Sequence, residues 1–407
     1  MFFLLTLYNI LYLIFYLPLG LIGYIFAKVI KEDACYYQRM GFGMPKMSGS
    51  KPTFWFHAAS VGEARSLRWV LASIRISHPQ AGVVVSTMTV SGYTTAKDEL
   101  APDVTLLLPI ENRAALKHAV KCYNTKAFFI TDTELWPNLI TAISEDIPLI
   151  LLNGRISDKT YKRYKRFSFF FKPLLQRFRY IIAKSAEDAF KFQNVMGGES
   201  AVITGGNIKY HMDTPPALKT EMDFLTGNIA LAASTHAPEE ELFLKAVSKC
   251  GFDRVVVAPR HIKRGGEVQK TAQKLGIKSG LYSRGDIDEK VLIMDAIGML
   301  ETLYQKANKI FVGGSIPNIG GHNIFEALQY GKTVAVGVHT ENFSDITALA
   351  DKYGIITVVN NGDDLLKWLG TPENRMPADF ENFFKELDKT QKDYLNTIER
   401  CIAKCIG

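Results

Sequence analysis

After residue 50, short runs rich in Val, Ile, Leu and Phe alternate with stretches whose apolar residues recur at helical spacing. The runs TFWFH (53–57), GVVVST (82–87), VTLLLP (104–109), KAFFITD (126–132), IPLILLN (147–153), YIIAKS (180–185) and AVITGG (201–206) are almost continuously apolar. That is the pattern of strands buried on both faces in a parallel sheet. Residues 63–77 and 111–121 carry helical periodicity between them. Strand and helix in alternation predict a doubly wound α/β sheet with helices on both faces. Residues 211–228 contain paired prolines and no strand pattern, and read as a linker. The alternation then restarts with NIALAAST (228–235), DRVVVAP (253–259), KVLIMD (290–295), KIFVGG (309–314), TVAVGV (333–338) and GIITVVN (354–360). A helical stretch closes the chain from about 377 to 404. The absence of a fixed 20–50-residue period argues against a solenoid. The expected architecture is two Rossmann-like domains, residues 50–210 and 229–376, facing one another across a cleft, with a C-terminal helix over 377–407. In open sheets of this kind ligands bind beyond the carboxyl ends of the strands, so the chemistry is expected in the residues that follow them.

Residues 1–27 contain no charged side chain, and Lys28, Lys31 and Arg39 follow them. An apolar run of about 20 residues is long enough to cross a bilayer as a helix. A cleaved signal peptide would place its basic residues before a shorter apolar core, so a membrane anchor is the expectation. Such an anchor either spans the membrane or, broken at Pro18 and Gly20, dips into one leaflet. The basic residues behind it keep the rest of the chain on the cytoplasmic side.

Composition adds three constraints. The 407 residues, 47% hydrophobic and 22% charged, suit a folded chain of two to three domains and exclude a disordered one. The formal charge of +7 is unevenly spread: residues 154–184 hold ten Lys/Arg against one Asp, leaving 38 basic and 40 acidic residues elsewhere. Five scattered cysteines without a C-x-x-C pair support neither a disulfide framework nor a zinc site.

Several motifs follow strands. In FWFHAASVGEA (54–64), His57 ends a strand and Glu63 opens a helix after a turn of small residues. Glu63 is either a helix-opening carboxylate favoured by the dipole or a base for a bound hydroxyl. TDTELWPN (131–138) sets Glu134 just past the next strand, and GGNIKY (205–210) ends the first half with Lys209. The basic segment interleaves aromatics, which suits nucleic acid, a solvated cationic helix, or anionic headgroups. With an anchor beside it, the membrane reading ranks first. In the second half ASTH (233–236) and APRH (258–261) each follow a strand, and Arg260 has the fork that grips a phosphate. IFVGGSIPNIGGHNIFEA (310–327) runs from strand through glycines to a helix start, where free N–H groups suit a phosphate and Glu326 suits ribose hydroxyls. Its glycines lack the G-x-G-x-x-G spacing of a dinucleotide site. Metal dependence is not indicated, because no D-x-D stands at a strand end.

HAASVGE, TELWPN, NGRISDKTYKRY, GNIKY, ASTH, APRH, GGSIPNIGGHNIFEA and HTENF occur in this order. With the apolar N-terminus they resemble the 3-deoxy-D-manno-octulosonic acid (Kdo) transferases of lipopolysaccharide synthesis, over about residues 1–370. The resemblance implies a GT-B fold. It implies an inverting, metal-independent and cofactor-free transfer of Kdo from CMP-Kdo to a lipid A precursor (lipid IVA), at the cytoplasmic face of the bacterial inner membrane. It further implies Glu63 as general base, with Glu134 and Lys209 stabilising the transition state. CMP is then held by Pro259 and Arg260, by the turn Ala296, Ile297 and Gly298, and by Asn323, Ile324, Phe325 and Glu326. The chain departs from the family pattern at Met299, where the family has Gly-Glu-Leu, and at Ile324, where proline is frequent. A turn that reads cytosine through its backbone tolerates Met299. Lys162, Arg163, Lys165 and Arg166 are expected to bind the acceptor's phosphates. The expected partners are thus donor, lipid acceptor and membrane leaflet, and not nucleic acid. The rival readings are a sugar-nucleotide epimerase of the same fold and a non-catalytic, membrane-tethered nucleic-acid binder.

Overall fold

The computed structural model describes residues 5–12, 14, 28, 37–47, 49–109, 111–198, 201–211, 222–372 and 377–406. The chain divides into two compact units: residues 1–211 with 388–407, and residues 212–387. Each described unit holds one seven-stranded parallel sheet.

In unit 1 the strands are β1 (Thr53–Ala58), β2 (Gly82–Thr87), β3 (Val104–Leu107), β4 (Thr125–Thr131), β5 (Leu149–Gly154), β6 (Tyr180–Ala183) and β7 (Val202–Thr204). Their order is β3-β2-β1-β4-β5-β6-β7, so the winding reverses between β1 and β4. The apolar runs are unbroken because both faces are covered. Trp55, Val84, Phe128 and Leu151 point into one core, while Phe54, Phe56, Val85 and Phe129 point into the other.

Unit 2 contains β8 (Ile229–Thr235), β9 (Arg254–Pro259), β10 (Ser279–Leu281), β11 (Val291–Ile293), β12 (Lys309–Val312), β13 (Val334–Val336) and β14 (Ile356–Val358), ordered β10-β11-β9-β8-β12-β13-β14. Here the winding reverses between β8 and β12. The reversal points are where an open α/β sheet forms a crevice at its carboxyl edge. All thirteen strands expected from the apolar runs are present. β10 was not expected, and its brevity explains why: three residues at a sheet edge, one of them Gly280, carry no apolar run.

Helix α1 (Val61–Ser66) follows β1, and α2 (Pro137–Ser144) follows β4 with Pro137 at its first turn. The basic segment forms α3 (Asp158–Arg166), capped by Ser157, and α4 (Ser168–Leu175). The last helix, α5 (Pro377–Ile406), packs Tyr394, Ile398, Cys401 and Ile402 into the core of unit 1. Tyr394 is 2% exposed, and its hydroxyl accepts a hydrogen bond from Asn153 N at 2.9 Å.

Most of the anchor expected over residues 1–27 lies outside the described residues, as do Lys31 and much of the linker. Residues 5–12 are helical, with Leu7, Ile10 and Leu11 exposed and Tyr8 donating to Glu111 Oε2 at 3.0 Å. No helix among the described residues is long and apolar enough to cross a membrane.

Unit 2 is pinned by a carboxylate. Glu239 is fully buried, and it accepts from four backbone N–H groups. His236 N (2.9 Å) and Gly314 N (2.8 Å) reach Oε2, while Ser315 N and Ile316 N (both 3.0 Å) reach Oε1. A Cβ at Gly313 would stand 2.6 Å from Glu239 Oε2 and 2.7 Å from Thr235 Cα, so that residue must be glycine.

Two stability predictions follow from these buried contacts. Tyr394→Phe leaves Asn153 N–H buried without its acceptor, and should destabilise unit 1 by about 1–3 kcal/mol. Tyr394→Ala, which also opens a cavity, should lose about 3–5 kcal/mol. Urea unfolding followed by tryptophan fluorescence measures both, since Trp55, Trp69 and Trp136 all report on unit 1. Glu239→Gln offers one acceptor oxygen where two are needed and turns an NH2 toward N–H donors. It should lower the stability of unit 2 by about 3 kcal/mol, read from the same titration through Trp368. An unchanged midpoint would show that the four hydrogen bonds contribute little.

Candidate active site

The polar residues of unit 1 collect where its winding reverses, at the carboxyl ends of β1, β4 and β5. Ser60 caps α1 by accepting from Glu63 N, and donates its hydroxyl to Glu63 Oε1 at 2.9 Å. Glu63 Oε2 accepts from Ala59 N at 2.8 Å, so the turn of small residues bends back onto the carboxylate. Burial raises the Glu63 pKa above the usual carboxylate value, and the charges of Asp132 and Glu134 add to this. The bonds from Ala59 and Ser60 oppose the shift without cancelling it.

Glu134 is held from β1. Trp55 and His57 lie on the same face of that strand, and Ser86 stands opposite His57 on β2. The Trp55 indole donates to Ser86 Oγ at 2.8 Å. The Ser86 hydroxyl is then free to donate to His57 Nδ1 at 2.9 Å, which leaves His57 Nε2–H for Glu134 Oε2 at 3.2 Å. Trp136 Nε1 donates to the same oxygen at 3.3 Å. His57 is fully buried, and the chain of bonds fixes its tautomer.

Asp132 completes the group. Its Oδ1 accepts from Asn153 Nδ2 at 2.5 Å and its Oδ2 from Lys209 Nζ at 2.6 Å. Asp132 and Asn153 both sit in the left-handed region, at φ 58° and 55°, which Asp and Asn tolerate better than most residues. The structure therefore brings Glu63, Glu134 and Lys209 to one edge of one sheet, as the motif positions suggested. It adds Asp132, which sequence reasoning passed over in TDTELWPN, and which engages Lys209. Ser86 had no motif around it; its position opposite His57 is a product of register alone.

In unit 2, Pro259 ends β9 and the exposed Arg260 follows it. The turn Ala296–Gly298 follows β11, with Ile297 81% exposed and Gly298 at φ 81°. Asn323 Oδ1 accepts from Phe325 N at 3.1 Å, and its Nδ2 donates to Glu326 Oε1 at 3.2 Å. Ile324 and Phe325 are buried. All these residues lie at the carboxyl edge of the sheet.

One expectation needs correction. The glycines after β12 are expected from sequence to bring a phosphate close to free N–H groups at the following helix start, but the N–H groups beside them, those of Gly314, Ser315 and Ile316, are taken by Glu239. The signal was hidden because Glu239, Glu240 and Glu241 stand together and read as an ordinary acidic first turn. Asn323 and Ile324 also precede, and Phe325 and Glu326 open, a helix of only one turn (Phe325–Leu328), so a long helix dipole is absent at that point.

Lys162, Arg163, Lys165 and Arg166 are exposed on α3, and none forms an ion pair among the described residues. Arg163 lies over Tyr164 and Arg166 over Phe167, at 5.9 and 5.7 Å. Phe167 and Phe169 beside them are 42% and 59% exposed.

A family model, 3-deoxy-D-manno-octulosonic-acid transferase (kdotransferase), matches residues 35–212. A bifunctional glycosyltransferase/methyltransferase of Fusobacterium nucleatum is 28% identical over 352 residues, 82% of this chain and 54% of that protein, so the chain spans about half its length. The 3-deoxy-D-manno-octulosonic acid transferase of Rickettsia felis is 28% identical over 87% of this chain and 80% of its own. That of Aquifex aeolicus is 27% identical over 80% and 87%. Among solved structures, UDP-GlcNAc 2-epimerase from Neisseria meningitidis superimposes with a TM-score of 0.57 at 12% identity, covering 87% of this chain and all of the other. A glycosyltransferase from Rickettsia africae does so with 0.55 at 13%, over 88% and 95%. These two share the fold alone. The match over residues 35–212, together with relatives of one description aligned across most of the chain, makes this protein similar to the 3-deoxy-D-manno-octulosonic acid transferases.

Proposed function

We propose that this glycosyltransferase moves Kdo from CMP-Kdo to a hydroxyl of a lipid A precursor, by an inverting and metal-independent route on a GT-B frame. The observation that carries the reading is Glu63: a carboxylate of raised pKa at a sheet reversal point, inside the segment that matches the family. A carboxylate poised nearer neutrality accepts the proton of an attacking hydroxyl better than an ordinary one. Glu134, its orientation fixed by His57 and Trp136, and Lys209, held by Asp132, are the groups assigned to charge at the reacting centre. In unit 2, Arg260, the Ala296–Gly298 turn and Asn323 to Glu326 are assigned to CMP. With the Gly314–Ile316 N–H groups occupied, the phosphate falls to Arg260, whose planar fork suits it.

Four exposed cations that form no ion pair among the described residues, next to exposed phenylalanines, support assigning α3 and α4 to the acceptor and its membrane. Near an anionic surface each cation contributes about 1 kcal/mol of attraction. The apolar residues 1–27 support placement at the cytoplasmic face of a bacterial inner membrane.

Glu63→Gln should fold normally, bind CMP, and transfer Kdo at least about 100-fold more slowly. Near-wild-type turnover would remove Glu63 from the mechanism. The base must be deprotonated to act. Activity in the wild type should therefore fall on the acid side at a pH above the ordinary glutamate range, where a raised pKa places the titration. Asp132→Asn removes one cause of that elevation, so the acid limb of kcat/KM should move to lower pH whatever happens to its height. A limb that stays in place would assign it to another group.

Replacing Lys162, Arg163, Lys165 and Arg166 together with Gln should raise the apparent KM for the lipid acceptor and leave that for CMP-Kdo nearly unchanged. Added salt should slow the wild type on that acceptor more than the variant, because the attraction is screened. A solvated helix with no role predicts no change in either KM. A rise in the donor KM alone would reverse the assignment of the two units.

A further inference from the structure

Three histidines meet at the carboxyl edge of unit 2, and the reading above uses none of them. His236 follows β8, His261 follows β9, and His322 lies in the loop after β12. His236 Nε2 and His322 Nε2 are 2.9 Å apart, with the rings stacked at 5.2 Å and 14°. His261 meets His236 edge-on at 5.7 Å and 88°. Two facing imidazole nitrogens at that separation share one proton, one donating and the other accepting. One added proton makes the neutral pair a single cation, and only a further one would set two cations against each other.

The surroundings of the pair are cationic. Burial, then Arg260, His236 and His261, push His322 down to about 4. His236 is lowered too, by burial first, with His261 and Arg264 adding to it while Glu239 and Glu240 oppose. Neither glutamate is available to neutralise the pair: Glu239 is saturated by four N–H groups, and Glu240 is paired with Arg264 at 2.7 Å. Glu326 accepts from Asn323 Nδ2. Thr235, one residue before His236 and fully buried, has a hydroxyl with no hydrogen-bond partner among the described residues. The arrangement crowds positive charge at a strand end and supplies no anion for it. An incoming anion reverses the balance and favours the protonated pair.

We propose that the His236–His322 pair, with Arg260 and His261 beside it, binds the carboxylate of the donor's sugar acid and takes up a proton from solvent as it does so. The inference rests on the reading of unit 2 as the donor unit. An octulosonic acid linked through its anomeric carbon carries its carboxylate on that same carbon. A donor whose phosphate meets Arg260 therefore brings a second negative charge with it. A nucleoside monophosphate lacks that charge, as does a nucleotide linked to a neutral sugar. The pair thus selects acidic sugars.

Isothermal titration calorimetry of the full chain at about pH 7, in two buffers of different ionisation enthalpy, counts the protons exchanged on binding. Wild type should take up close to one proton with CMP-Kdo. His236→Gln and His322→Gln should each abolish the uptake and weaken CMP-Kdo at least about tenfold, with CMP held within about twofold. Retained CMP binding shows that the variants keep a folded site. Variants that keep the wild-type uptake and the wild-type ratio of CMP-Kdo to CMP affinity overturn the proposal. So does a variant that loses both nucleotides equally, since the pair would then not select the carboxylate. Wild type that binds neither nucleotide defeats the donor reading itself, and Arg260→Ala, expected to weaken both, checks that reading separately.

Discussion

Asp132 is gripped at both carboxylate oxygens, by Asn153 Nδ2 and by Lys209 Nζ, and the geometry of unit 1 depends on that grip. Its three members come from the ends of β4, β5 and the segment after β7. The backbone of Asn153 is held in turn by Tyr394 from the C-terminal helix. Two of the residues adopt left-handed backbone, a conformation that persists only when surrounding contacts impose it. The same carboxylate acts at a distance on Glu63, where its charge helps to raise the pKa. One interaction thus fixes a lysine, orients strand ends and tunes the proposed base.

The two units solve opposite electrostatic problems at equivalent places in their sheets. Unit 1 gathers Glu63, Asp132 and Glu134 at its reversal point, and Lys209 is the cation placed there. Unit 2 gathers Arg260, His236, His261 and His322, and turns its nearby carboxylates inward. Glu239 shows how far that goes, since a full carboxylate is consumed in holding a glycine-rich turn. Proton acceptance belongs with the first arrangement and anion binding with the second.

Much of this was legible in the sequence, for a physical reason. Strands covered on both faces must be apolar throughout, so thirteen of them announce themselves. Ligands sit beyond strand ends, so Glu63, Glu134, Lys209 and Arg260 stand where a site is expected, while the roles of Glu63, Glu134 and Lys209 came from the family resemblance. What sequence could not supply was register and reach. Ser86 matters because it stands opposite His57. Tyr394 matters because a helix some 240 residues later packs against β5. The N–H groups beside the glycines after β12 looked open to a ligand because the carboxylate that takes them lies 75 residues earlier, within a run of three glutamates. Long-range partners of this kind leave no local signature.

Similarity to the Kdo transferases and the chemistry of two dissimilar sites both favour the proposed reaction: attack by a lipid hydroxyl on an activated acidic sugar, with CMP leaving. The direct measurement is to incubate the purified full chain with CMP-Kdo and lipid IVA and to weigh the lipid product by mass spectrometry. The account requires the lipid to gain the mass of one or more Kdo residues, with CMP released in equal number and no gain in Glu63→Gln over the same time. A lipid of unchanged mass, with CMP-Kdo left intact beside wild-type protein, would contradict it.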